Sequence, residues 1–94
     1  MVERVIKRDE REYSKLQIVA DALTLYSKNK AQYIVEDVYL DLGQDWMWTT
    51  ICRKGYSECQ VLSPRDWKMI MSSESMSDLA MCIDEIRNNE YFND

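Results

Sequence analysis

The sequence predicts an α+β fold in which a three-stranded antiparallel meander packs against helices, in the order α-β-β-β-α-α. Residues 33–62 contain three runs rich in β-branched and aromatic residues, and the two segments between these runs each contain a glycine, Gly43 and Gly55. On both sides of this stretch, apolar residues recur at helical spacing. With only two glycines and one proline, the chain has few loops and most residues belong to regular elements.

The length favours a single domain over residues 1–94, with room for one hydrophobic core. Residues 1–8 are interpreted as a frayed extension or a flexible arm, and residues 90–94 as a frayed tail. No apolar run approaches the ~18–20 residues that span a bilayer. The first residues do not form an apolar signal core followed by a cleavage site. We therefore expect a cytoplasmic protein that does not contact a membrane.

The cysteines support the same location. The chain has three, Cys52, Cys59 and Cys82, and all of them lie in apolar contexts where a free thiol behaves as a small hydrophobic side chain. A disulfide between Cys52 and Cys59 across a hairpin is the alternative, and a reducing compartment disfavours it.

Start and stop signals predict three helices. The first, over residues 9–29, begins at the capping side chain of Asp9, and Asn29 suits its C-terminus. The second is predicted over residues 64–71. The third begins at the capping box of Ser75 and Asp78 and ends near the paired amides of residues 88 and 89.

The strongest local signal lies at the start of the second helix. Ser63 is the predicted cap, Pro64 the first helical residue, and Asp66 the return partner of a capping box. Leu62 and Trp67 occupy the two positions of a hydrophobic staple, which fixes the angle at which the helix leaves the sheet.

Loop lengths predict which strand residues share a face. An even loop around Gly55 and a three-residue loop at 43–45 create one face that helices are expected to cover. Its members are Val38, Leu40, Leu42, Trp46, Trp48, Thr50, Cys52, Cys59 and Val61. The opposite face consists of Asp37, Tyr39, Asp41, Met47, Thr49, Ile51, Arg53, Glu58, Gln60 and Leu62. In the alternative arrangement, the first helix covers this second face and the other two helices cover the first.

The residue content argues against catalysis. The chain has no histidine, which removes the usual nucleophile pairs, imidazole metal sites and the commonest general base. Phosphate-binding glycine motifs and a C-x-x-C pair are also missing from the sequence. Asp37 and Asp41 lie on one strand face, but a solvated face explains them better than magnesium chemistry. We expect no catalytic residues, no metal site, no cofactor and no enzymatic activity.

Charge is distributed unevenly along the chain. Residues 1–31 carry seven basic and five acidic groups, whereas residues 32–94 carry five basic and twelve acidic groups. The second part is therefore strongly anionic, with a net charge of −7 within a chain total of −5. Such a distribution bears on the choice of partner, and it favours a protein partner with a basic surface.

The α-β-β-β-α order resembles the double-stranded-RNA-binding domain. That family has a lysine-rich start to the helix after its third strand, whereas residues 63–68 contain two cations and one anion. Direct nucleic-acid binding by this surface is not expected, because the anionic sheet would repel phosphate. The alternative is a nucleic-acid binder that uses the first helix and the N-terminal arm, where five basic residues alternate with acidic ones: Arg4, Lys7, Arg8, Arg11 and Lys15.

The second sheet face resembles an interface, with an apolar and aromatic centre and charged margins. We therefore interpret the chain as a small acidic, non-catalytic protein-binding module. The predicted partner-binding residues are Glu36, Asp37, Tyr39, Asp41, Asp45, Met47, Ile51 and Glu58.

Two further hypotheses follow from that face. In topology and charge the chain is similar to some small anti-CRISPR proteins, phage inhibitors whose acidic side chains occupy the DNA-binding groove of a nuclease. This resemblance implies an inhibitor of a nucleic-acid-binding host protein, with carboxylates standing where phosphates would stand. The alternative is a homodimeric structural or regulatory protein that pairs through its sheet face.

Overall fold

Three helices and two strands form the described part of the chain. The computed structural model describes residues 10–41, 45–55 and 62–89, with side chains described over 11–37, 49–55 and 62–89. The elements, in order, are α1 (Glu10–Tyr26), β1 (Tyr33–Asp41), β2 (Asp45–Arg53), α2 (Pro64–Ser72) and α3 (Met76–Asn88). The α+β class is confirmed. No helix within these ranges has the length and apolar character needed to cross a membrane.

β1 and β2 form an antiparallel pair in which Tyr33 lies opposite Arg53 and Asp41 opposite Asp45. The connection is therefore one residue earlier than the loop predicted at 43–45. The shift moves the register by two, so the alternation of the faces is unchanged. The predicted grouping of Asp37, Thr49 and Ile51 on one face is confirmed.

The predicted three-stranded meander is wrong, because the sheet in the described residues contains only β1 and β2. Residues 58–61 of the predicted third strand lie outside the described residues, and Leu62 has no strand conformation. Leu62 is instead buried in the core at the start of α2.

The outer edge of β2 shows a physical reason for this correction. Lys54 N–H donates to the carbonyl of Gln32 at 2.8 Å, and this pairing leaves the backbone carbonyl of Thr49 pointing away from β1. That carbonyl accepts a hydrogen bond from the indole N–H of Trp67 in α2, at 3.1 Å. A helix side chain therefore occupies a backbone carbonyl that a third strand would otherwise use as a hydrogen-bond acceptor.

The outer edge of β1 is capped in the same way by α1. The backbone N–H of Tyr33 donates to Oγ1 of Thr24 at 2.9 Å. The Thr24 hydroxyl lies 2.9 Å from the carbonyl oxygen of Ala20 and 3.3 Å from that of Tyr33. Both exposed edges of the strand pair thus have one point at which a helix satisfies the backbone, which blunts pairing with other strands.

All three helices and one face of the sheet share a single core. The buried residues of this core are Leu16, Val19, Ala20, Leu23, Tyr33, Ile51, Leu62, Ile70, Leu79, Cys82, Ile83 and Ile86. Val35 packs against this cluster from β1. The helices therefore cover the face that was predicted to remain open, and that prediction is wrong.

The connection between α1 and β1 explains the reversal. Only residues 27–32 separate the two elements, so the second half of α1 must pack over the first residues of β1. There Tyr33 and Val35 lie on the same face as Ile51 and pack into the core, whereas Ile34 lies on the opposite face with Cys52. On the other face, Thr50 and Cys52 are also buried, as predicted, but they do not belong to the helical cluster.

The predicted N-caps of α2 and α3 are confirmed. Ser63 Oγ accepts from the backbone N–H of Asp66, and Ser75 Oγ accepts from that of Asp78, both at 3.2 Å. The predicted return bond at Asp66 is replaced by a longer-range contact, because its buried carboxylate accepts from the side-chain amide of Asn89 at 3.1 Å. This bond ties the start of α2 to the end of α3.

Helix α1 is shorter than predicted and ends at Tyr26. Its final turn closes through Ser27 N–H, which donates to the Thr24 carbonyl at 3.3 Å. The left-handed residue that follows the helix is Lys30, with φ of 56°, and not Asn29. Residues 1–8 and 90–94, predicted as arm and tail, lie outside the described residues.

Candidate functional site

The structure describes the side chains of three residues predicted to bind a partner. Glu36 is exposed, Asp37 is partly buried and Ile51 is 0% exposed. The buried side chain of Ile51 belongs to the core and does not reach a partner. Glu36 and Asp37 follow each other along β1, so they lie on opposite faces of the sheet and do not form one patch.

The other predicted partner-binding residues fall where side chains are not described. These are Tyr39, Asp41, Asp45 and Met47 within the strands, and Glu58 in the segment after β2. Asp37 itself has a structural partner, because its carboxylate accepts a hydrogen bond from the Thr49 hydroxyl at 2.7 Å. The bond joins β1 and β2 on the face that the helices cover.

A groove of about 320 Å³ opens between α2 and α3. It is lined by Met69, Ser72, Ser73, Asp78, Met81, Cys82 and Glu85. The two helices are separated only by the short turn at residues 73–75, so they pack side by side in a helical hairpin. The groove lies along the side of this hairpin.

The bottom of the groove is made by Ser73 and Cys82, which are both buried. Ser73 follows the last residue of α2, where its backbone N–H donates to the Ile70 carbonyl at 3.1 Å. Its side-chain hydroxyl lies 2.9 Å from the Met69 carbonyl oxygen and 3.5 Å from Cys82 Sγ. These contacts satisfy the polar atoms at the bottom, so the groove offers an apolar bed and not an unpaired polar group.

One edge of the groove carries carboxylates. Asp78 and Glu85 are seven residues apart on α3, which places them on the same side of the helix with about 10 Å of axial rise between them. The carboxylate of Asp78 accepts from the backbone N–H of Glu74 at 3.0 Å, which orients it at one end. At the other end, Glu85 lies 3.8 Å from Arg65 of α2 in a solvent-exposed ion pair.

Met81 lies between the two carboxylates along α3. Its side chain is 68% exposed although it lines the groove. A flexible thioether in this position adapts to apolar side chains of different shapes. The groove therefore presents an apolar strip between two carboxylates, of which Glu85 is paired with Arg65.

The groove combines apolar and acidic side chains. Within the described ranges, no group of three or more possible metal ligands comes together. The Cys82 thiol lies 3.5 Å from the Ser73 hydroxyl, with which it shares a hydrogen bond. An apolar bed with carboxylates at its ends suits a basic, partly apolar ligand.

The groove was not predicted from the sequence. The available signal was the spacing of residues 78, 81, 82 and 85, which places two carboxylates, a methionine and a cysteine on neighbouring positions of one helix. The comparisons with known proteins add no assignment: no family model matches the chain, and no curated protein or solved structure matches it.

Proposed function

We propose that this chain is a small acidic, non-catalytic protein-binding module whose partner presents a basic surface. The observation that carries the proposal is the groove between α2 and α3, where an apolar bed is bordered by the carboxylates of Asp78 and Glu85. The net charge of −7 over residues 32–94 has the same sign and would draw a cationic partner towards this part of the molecule. The exposed carboxylate of Glu36 contributes to the same negative electrostatic potential.

An inhibitor of a nucleic-acid-binding host protein is a narrower form of this proposal. Its support is the negative charge of residues 32–94. We also propose a cytoplasmic location, for which the buried, unbridged thiol of Cys82 gives support.

A peptide array tests the proposed function. The folded, labelled chain is applied to peptides of about 16 residues in which net charge and apolar content vary independently. We expect retention by peptides that are both basic and apolar, and retention should fall as salt rises from low to physiological concentration. Equal retention of acidic and basic peptides, or retention that does not change with salt, would contradict the proposal.

A further inference from the structure

We propose that the groove between α2 and α3 binds an amphipathic helix of the partner, one whose two cationic side chains lie seven residues apart and flank an apolar anchor. This inference rests on the proposed function and specifies its ligand. It combines three features of the groove: the spacing of its carboxylates, its apolar bed and its length.

The spacing of the carboxylates sets the spacing of the cations. Asp78 and Glu85 are separated by about 10 Å of helical rise, which is the rise between two residues seven apart on another helix lying alongside. Residues with that separation point to the same side of a helix, so one partner helix can direct both cations at α3. An extended peptide covers the same distance in about three residues, with its side chains alternating between faces.

The apolar lining of the groove determines which type of residue we expect between the two cations of the partner helix. Met69 of α2 and Met81 of α3 lie on its two sides, and the buried pair Ser73 and Cys82 lies below. Because Ser73 is already hydrogen-bonded to Met69, an apolar side chain entering here leaves no donor unsatisfied. A leucine or methionine halfway between the cations would fill the strip.

The dimensions of the hairpin suit a helix of a few turns. α2 has nine residues and α3 has thirteen, which correspond to about 13 and 20 Å of helix. Two adjacent helices present a furrow in which a third can pack through its apolar stripe. Glu85 is occupied by Arg65 in the free chain, but both side chains are solvent-exposed and such a pair is weak enough to be exchanged.

The probe for this inference is a synthetic helical peptide of about 14 residues, rich in alanine, with two lysines seven positions apart and leucines between them. The control peptide has the same composition, with one lysine moved to the opposite side of the helix. Fluorescence anisotropy with the full chain should show about tenfold weaker binding of the control peptide. Equal affinity of the two peptides would overturn the inference.

Variants that neutralise the two carboxylates test whether the probe peptide binds in the groove. Asp78→Asn with Glu85→Gln keeps the shape of both side chains and should weaken binding of the probe peptide about tenfold. The matched control is Asp21→Asn with Asp84→Asn, which changes the net charge equally at exposed positions that do not line the groove. Its effect should stay below about threefold, and an equal loss in both double variants would overturn the assignment to the groove.

Two methionines on α3 separate packing from charge. Met76 and Met81 are 65% and 68% exposed, and only Met81 lines the groove. Met81→Ala should weaken binding of the probe peptide several-fold, whereas Met76→Ala should leave it unchanged.

Arg65→Gln should strengthen binding of the probe peptide, because it frees the Glu85 carboxylate. Unchanged binding in Met81→Ala and Arg65→Gln, with folding verified by circular dichroism, would count against the groove.

The two proposals fail in different ways. If the array retains basic, apolar peptides and the groove variants bind them normally, the helix inference is wrong, and the proposed function stands on the net charge of residues 32–94 and not on the groove. If the array shows no preference for basic peptides, the proposed function is wrong, and the groove proposal that rests on it falls as well.

Discussion

At the scale of single residues, Thr50 carries an unsatisfied polar group. Its side chain is 0% exposed, and among the residues described its hydroxyl has no hydrogen-bond partner. Burial of an unpaired hydroxyl costs free energy. Thr50→Val replaces the hydroxyl with a methyl group of similar shape, and we expect it to raise the free energy of unfolding by about 1 kcal/mol in urea titrations.

The neighbouring threonine provides the control. Thr49 donates its hydroxyl to the carboxylate of Asp37, so Thr49→Val removes a hydrogen bond to a partly buried acceptor. This variant should be destabilised by about 1–2 kcal/mol in the same titration. A stabilised Thr49→Val, or a destabilised Thr50→Val, would contradict the interpretation of the two hydroxyls.

Lys30 is held in the left-handed region, with φ of 56°, where a side chain with a Cβ atom is strained. Glycine adopts this conformation without the steric cost. Lys30→Gly should therefore raise the melting temperature, by an amount that corresponds to roughly 0.5–1 kcal/mol.

Lys28 lies in the same turn with a negative φ, and it serves as the control for that measurement. At this position glycine only increases the entropy of the unfolded chain, so Lys28→Gly should lower the melting temperature. If both variants shift the melting temperature in the same direction, the strain at Lys30 is not the cause.

At the scale of elements, Trp67 joins α2 to the outer edge of β2 through its indole N–H. Trp67→Phe keeps most of the apolar packing and removes this donor. We expect a loss of about 1 kcal/mol in the free energy of unfolding. Native-state hydrogen exchange should show faster opening of β2 than in the original chain, and unchanged exchange in β2 would mean that the bond does not hold the edge.

The elements also show what could be predicted from the sequence. The starts of α2 and α3 were predicted at Ser63 and Ser75 because a cap depends on residues within one turn. The two-stranded limit of the described sheet could not be predicted from such local signals, because Trp67, which bonds to the outer edge of β2, lies 18 residues further along the chain than its acceptor Thr49. The prediction assigned the helices to the wrong face of the sheet, because the face they cover depends on how α1 packs over Tyr33.

At the scale of the whole molecule, the groove could not be predicted because it is created by the packing of α2 against α3. Local signals predicted both helices and the break between them, but not the contacts of Ser73 with Met69 and Cys82 that set the helices side by side. The charge of the chain follows from its composition, but the predicted binding surface was placed on β1 and β2, where Glu36 is the one exposed residue among the side chains described. The acidic edge of α3 has the same sign and an apolar bed beside it.

The oligomeric state separates the proposed module from the homodimer alternative. The face of the sheet that contains Ile51 is covered by the molecule's own helices, so self-pairing through this face would require the core to open. We expect light scattering after size exclusion to give the mass of a monomer at every concentration tested. A dimer mass that does not change on dilution would favour the homodimer instead.

The caps on the two sheet edges make the behaviour of partly unfolded molecules depend on the helices. Thr24 and Trp67 leave the backbone of β1 and β2 as soon as α1 or α2 detaches. A molecule that loses either helix on heating gains a strand edge open to its neighbours, and an exposed edge of this kind favours aggregation. Tight docking of the helices therefore protects the protein against precipitation as well as against unfolding.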